Sequence, residues 1–110
     1  MINDSMKTIR TKIQQDTTIT AERKTELLGL LAKLESEITN LSKTHSEHAE
    51  SIAGFIEIST HEATRQNKHP ELLKLSVTGL TESVRGFEAS HPLLVAYINN
   101  IATTLANMGI

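Results

Sequence analysis

A spacing of four and three residues between apolar side chains recurs along the chain and constrains its fold more than any other feature. The longest run reaches from the first third of the chain to its middle: Leu27, Leu31, Leu34, Ile38, Leu41, His45, His48, Ile52 and Phe55. Positions spaced in this way fall on one face of an α-helix, as the a and d positions of a heptad do. The sequence therefore predicts helices that bury a stripe against one another.

Three further segments carry the same spacing. Their stripes are Ile2, Met6, Ile9 and Ile13; Leu73, Val77, Leu80, Val84 and Phe87; and Leu94, Ile98, Ile101, Leu105 and Met108. Pro70 and Pro92 fit the first position of a helix, and Thr20 fits the N-cap of the second segment. We predict helices over about 2–15, 20–68, 70–88 and 92–108, within a single domain of residues 1–110.

The segment 20–68 allows two interpretations. As one helix it would be about 70 Å long and would need an equally long partner. The run from Asn40 to Ser46 and the residue Gly54 are weak helix formers, so a break or kink near 42–54 is the main alternative. Either way the predicted fold class is all-α, a long helical hairpin or a helix bundle of about four helices with heptad-patterned stripes.

Composition agrees with a helical core and removes several classes of function. The chain has two Phe, one Tyr and neither Trp nor Cys, which excludes disulfides, cysteine zinc sites and thiol chemistry. The formal charge is -2 and the charges are interspersed, which gives no basis for binding nucleic acid or an anionic membrane. The first residues lack the basic flank and apolar run of a signal peptide, so we expect a cytoplasmic protein.

The segment from Ala89 to Ile110 contains no Asp, Glu, Lys or Arg. Because an exposed helix usually has a charged face, we expect protein to cover this one on most sides. Its Asn and Thr residues argue against insertion in a membrane, where unpaired amides are costly. We favour burial in a homo-oligomer interface over a central helix in a monomer, since a short chain has little surface for both this helix and the long stripe. Gly109 and Ile110 fit a Schellman cap.

His45 and His48 are the strongest candidate site residues. They lie three residues apart on one helix face, and neutral imidazoles at that spacing can bind one metal ion. Two histidines are an incomplete ligand set, so the competing interpretation places them on a partly hydrated part of the stripe or against a neighbouring helix. An intermediate hypothesis is pH-dependent association, because protonation would put like charges into the stripe.

Other patterns favour no catalytic site. The segment that starts at His61 and Glu62 resembles a zinc-protease helix motif but has Arg65 where the second His is required. His69 and His91 precede helix-starting prolines, where capping or exposure explains them. Neither a phosphate-binding glycine loop nor a nucleophile elbow occurs, so we expect no enzyme and no cofactor.

Two hypotheses of function follow. The first is a non-enzymatic homo-oligomer whose helices form a surface for another protein. The second is a helical bundle that binds a metal or small ligand through His45 and His48. Peripheral membrane binding by residues 93–110 is a weaker third.

The C-terminal part of the chain resembles a known family. The segments Phe87-Glu88-Ala89-Ser90-His91-Pro92-Leu93-Leu94 and Leu105-Ala106-Asn107-Met108-Gly109-Ile110 look like the closing signature of a small bacterial family known only as a domain of unknown function, and Thr20-Ala21-Glu22-Arg23 is similar to its first half. The resemblance covers the C-terminal quarter well and 20–38 loosely, but not the middle, about 42–68. It implies a bacterial, cytoplasmic, helical protein and carries no activity, cofactor or site residue.

Overall fold

The computed structural model describes residues 2–108, which form five α-helices and, within that range, no strand. The helices are α1 (Ile2–Gln15), α2 (Ala21–Ser42), α3 (Ser46–Thr64), α4 (Pro70–Ser83) and α5 (Pro92–Met108). The all-α prediction is confirmed for these residues. The predicted Schellman cap at Gly109 and Ile110 lies outside them.

The segment 20–68 is two helices, so the alternative of a break near 42–54 is confirmed and the predicted count of about four helices becomes five. At the end of α2 the Ser42 hydroxyl donates to the Thr39 carbonyl at 2.6 Å, and the His45 N–H donates to the Leu41 carbonyl at 2.8 Å. His45 then leaves helical geometry, with φ -137° and ψ 63°, and becomes the N-cap of α3. Short polar side chains that bond to nearby backbone groups compete with helix continuation, which explains the break.

The helix α3 lies at the centre of the bundle and packs against all four others, most extensively against α4. The apolar stripes of the outer helices meet it and each other. Side chains with less than 2 % exposure come from every helix and include Met6, Ile9, Ile13, Leu27, Leu31, Leu34, Ile38, Leu41, Ile52, Ile56, Leu80 and Leu94. The leucines and isoleucines of the long stripe therefore find their partners within the chain.

Two predicted helix starts are confirmed in detail. The Thr20 hydroxyl accepts the Arg23 N–H at 3.2 Å, which caps α2. The His69 Nδ1 accepts the Leu72 N–H at 3.3 Å, which caps α4. These bonds satisfy backbone donors that the first turn of a helix leaves without partners.

The helix α4 ends at Ser83, before the predicted end at 88. Gly86 has φ +97°, and its N–H donates to Glu88 Oε2 at 2.7 Å. A residue in this region cannot continue a right-handed helix, so the chain turns here before α5 begins.

Candidate interaction face and histidine cluster

The helix α5 has one apolar face that is buried and one uncharged face that is exposed. Leu94, Ile98, Ile101 and Leu105 are fully buried, and α5 packs on α2, α3 and α4. Positions on the opposite face are exposed: Leu93, Ala96, Asn99, Asn100, Thr103 and Asn107. The chain therefore covers α5 on one side only, and coverage of its other side by a second subunit stays a prediction.

The exposed face has a heptad spacing of its own. Leu93, Ala96, Asn100, Thr103 and Asn107 are separated by three, four, three and four residues, so they form one straight stripe, which we call the α5 stripe. Leu93 at its start is 55 % exposed. The stripe consists of one large apolar side chain, small side chains and amides. A second helix can pack closely on such a surface without burying an ionised group.

A groove between α2 and α5 borders the α5 stripe. It is lined by Gly29 and Lys33 on α2 and by Asn100 and Thr104 on α5, among others. A Cβ atom added at Gly29 would meet nothing within 4 Å, so the groove is open at that point. Lys33 Nζ lies 5.8 Å from the centroid of the Tyr97 ring. The groove has room for side chains from a helix packed on the α5 stripe.

Three imidazoles surround Phe87 at one end of the bundle. The ring centroids of His45, His48 and His91 lie 5.5, 5.4 and 5.6 Å from the Phe87 centroid, all in edge-to-face geometry. The His45 centroid is 6.1 Å from that of His48 and 6.4 Å from that of His91. His45 and His48 are exposed, whereas His91 and Phe87 are half-buried. The structure thus adds His91 to the predicted pair.

Two helix starts bring this cluster together. The His45 carbonyl accepts the Ala49 N–H at 3.0 Å, and the His91 carbonyl accepts the Val95 N–H at 3.2 Å, so the two residues open α3 and α5. The break after α2 and the turn before α5 therefore lie at the same end of the bundle. The sequence indicates that His91 precedes a helix start, but it does not specify which helix starts are neighbours in space.

The described residues do not form a complete metal site. Within them, no group of three or more His, Cys, Asp or Glu side chains is arranged to hold a metal ion. The Nδ1 atoms of His45 and His91 lie 2.8 and 2.9 Å from the hydroxyls of Thr44 and Ser90, which leaves Nε2 as the nitrogen that each ring offers to a ligand. Metal binding by His45 and His48 stays a prediction.

The segment that resembles a zinc-protease motif is engaged in side-chain contacts. Glu62 is 8 % exposed, and its Oε1 accepts a hydrogen bond from Arg65 Nη1 at 2.8 Å. His61 Nδ1 lies 3.5 Å from Lys12 Nζ. The arginine that replaces the second histidine thus pairs with the glutamate of the motif, at the end of α3.

None of the helices formed by residues 2–108 is both long enough and apolar enough to span a bilayer.

The fold and the surface define a small all-helical bundle that presents an uncharged helix face and a histidine cluster. The chain belongs to the family described as Domain of unknown function (DUF4404), whose model matches residues 27–110. The match includes the middle of the chain, to which the sequence resemblance does not extend, and with it His45 and His48. No curated protein and no solved structure matched the chain.

Proposed function

We propose that this protein is a non-enzymatic interaction protein of the bacterial cytoplasm that forms a homo-oligomer through the α5 stripe. The observation that carries the proposal is the exposed, uncharged face of α5 with its heptad spacing. Each of the other four helices carries ionised side chains. The α5 stripe itself carries no charge, so a partner that covers it meets ionised groups only at its border, where Lys33 and Glu26 line the neighbouring groove. An unpaired buried charge is among the largest costs that an interface can meet.

A second copy of the chain fits the α5 stripe better than other partners. Across a two-fold axis the stripe meets itself, and an amide can both donate to and accept from its counterpart, as Asn100 and Asn107 would. A buried Asn at one heptad position fixes register and the number of chains. A nucleic acid or an anionic membrane would find no Lys or Arg between Ala89 and Met108.

Sedimentation equilibrium of the full chain tests self-association. We expect a discrete oligomer at micromolar concentration. Ala96→Glu combined with Thr103→Glu places like charges in the interface and should convert the oligomer to monomer. Thr8→Glu combined with Thr11→Glu is the matched control, because both positions are exposed on α1 and the charge change is the same.

Two results would contradict this proposal: a wild-type chain that stays monomeric throughout the micromolar range, or an oligomer that survives the two α5 substitutions. Circular dichroism shows whether each variant keeps its helix content. All four substituted positions are exposed, so we expect the bundle to remain folded.

A second candidate function is the binding of a transition-metal ion through His45 and His48. The 6.1 Å between their ring centroids and the approach of His91 favour it. Zn²⁺, Ni²⁺ or Co²⁺ should then raise the melting temperature. The rise should be lost in His45→Ala combined with His48→Ala and kept in the control His61→Ala. A wild-type melting temperature that none of these ions changes would contradict metal binding.

A further inference from the structure

Three of the four large apolar side chains that the described residues leave exposed belong to α3 and α4. Ile58 on α3 is 52 % exposed, and on α4 Leu72 and Leu75 are 40 % and 69 % exposed. The fourth, Leu93, belongs to the α5 stripe. Single exposed apolar residues are common on protein surfaces, but a cluster indicates an interaction site.

The contact between Phe55 and Gly79 fixes how α3 and α4 are aligned. A Cβ atom added at Gly79 would clash with Phe55 Cε1, so the Phe55 ring rests directly on the Gly79 backbone. The two helices are consecutive, are joined by the short connection 65–69 and pack along their length, so they run antiparallel. Ile58 then lies at nearly the same height as Leu75, and Leu72 lies about one turn further along.

Helical spacing places all three side chains beside this contact. Ile58 follows Phe55 by three residues, so both lie on the side of α3 that faces α4. Leu72, Leu75 and Gly79 are separated by three and four residues, so both leucines lie on the stripe of α4 that meets α3. The helical spacing therefore places Ile58, Leu72 and Leu75 along the outer edge of the α3–α4 contact, and we call this set the α3–α4 strip.

From the start of α3 to the end of α4 the chain carries six Glu against three basic residues, Arg65, Lys68 and Lys74, so the charge of this helical hairpin is net negative. The helix α3 contains Glu47, Glu50, Glu57 and Glu62 and neither Lys nor Arg, and α4 contains two Glu and one Lys. Glu47 and Glu50 are exposed and Glu57 is half-buried, whereas Glu62 is buried and paired with Arg65. A partner that covers the strip would thus meet more acidic than basic side chains around it.

We propose that the α3–α4 strip binds an amphipathic helix with basic flanks from another protein. The apolar side of such a helix would cover Ile58, Leu72 and Leu75, and its Lys or Arg residues would face the glutamates of α3. A second copy of this chain is a poor occupant. A symmetric contact would set acidic α3 against acidic α3, and neither α1 nor α2 exposes a large apolar side chain within the described residues.

The proposed helix is the partner in the interaction role proposed above, on which this inference rests. It binds a surface separate from the α5 stripe. The probe is a fluorescein-labelled amphipathic peptide of leucine and lysine, and its twin has glutamate in place of lysine. Fluorescence anisotropy should show binding of the leucine–lysine peptide that weakens as salt rises, and no binding of the twin. Ile58→Ser combined with Leu75→Ser should weaken binding about tenfold or more.

Ala21→Ser combined with Ala32→Ser is the control, because it makes the same kind of change at two exposed positions of α2, outside the strip and outside the α5 stripe, and should leave the affinity unchanged. Glu50→Gln combined with Glu57→Gln should weaken binding and reduce its salt dependence. The inference would be overturned if the wild type did not bind the leucine–lysine peptide, or if the variant with Ile58→Ser and Leu75→Ser bound it as tightly as the wild type. Equal binding of the glutamate twin would overturn it as well. Failure of α5 self-association is measured separately by sedimentation and leaves this result intact.

Discussion

At the scale of single residues, the connection between α1 and α2 depends on one carboxylate. Asp16 Oδ1 accepts the Thr18 N–H at 2.7 Å, the Thr18 hydroxyl at 2.6 Å and the Ile19 N–H at 3.1 Å. Partial burial raises the pKa of Asp16, but these hydrogen bonds, with Lys68 nearby, outweigh that effect and leave the pKa below its ordinary value. The ionised form is therefore the one that holds this turn.

We expect Asp16→Ala to lower the free energy of unfolding by about 1 kcal/mol at neutral pH, since the site is partly solvated. A lowered pKa gives stability that is present above the unfolded pKa of about 3.9 and is lost as the pH falls through the lower folded value. The difference between wild type and variant should therefore shrink in acid. Urea unfolding at neutral pH and at about pH 3 measures it.

Glu26→Ala, at an exposed position of α2, controls for loss of a carboxylate elsewhere. A difference between wild type and Asp16→Ala that stays constant over this pH range would show that the charge of Asp16 does not stabilise the turn.

At the scale of elements, the close approach of α3 and α4 requires a residue without a side chain. The Phe55 ring occupies the space that a Cβ at Gly79 would need. Gly54, one residue before Phe55, has nothing within 4 Å of an added Cβ. Substitution of each glycine by alanine therefore compares a crowded position with an open one in the same helical hairpin.

We expect Gly54→Ala to raise the free energy of unfolding by about 0.5–1 kcal/mol, because Ala favours the helix over Gly. Gly79→Ala should lower it by about 1 kcal/mol, because displacement of the Phe55 ring outweighs the same gain. Urea unfolding of the two variants measures whether each substitution raises or lowers the free energy of unfolding. Stabilisation by both would show that the Phe55 ring moves aside freely.

The buried faces of the helices could be predicted from the sequence, whereas the residues at which α2 and α4 end were harder to predict. The four-three spacing identifies residues such as Leu27, Leu31 and Ile98 that are fully buried. The same spacing continues through His45 and His48, which are exposed. Periodicity alone does not reveal that the chain reverses direction there, between α2 and α3. The weak helix formers of 40–46 indicate where α2 ends. Gly86 is the residue that indicates an early end of α4.

The candidate surfaces were only partly predictable. The uncharged C-terminal segment pointed to α5 as an interaction helix, but the α5 stripe appears only once the buried face is known. The α3–α4 strip depends on the contact of Phe55 with Gly79, which joins residues far apart in sequence. His91 joins His45 through the packing of two helix starts. Each of these depends on tertiary alignment, which local spacing does not specify.

At the scale of the whole molecule, the long stripe no longer requires another chain. A single helix over 20–68 would need a long partner, but the break lets α3 turn back and pack on α2. Buried residues from all five helices form one core within a molecule of 37 × 25 × 22 Å. The proposed self-association therefore depends on the outward face of α5 alone.

The short break between Ser42 and Ser46 has a further consequence. If Lys43, Thr44 and His45 became helical, α2 and α3 would join into one rod and α3 would leave its own core. The site that α3 leaves fits the α3 of a second molecule. Two such molecules could therefore exchange their segments from α3 to α5, and both cores would form again. Such an exchange would preserve almost every native contact, so the turn at 43–45 is the feature that keeps α3 packed on the α2 of its own chain.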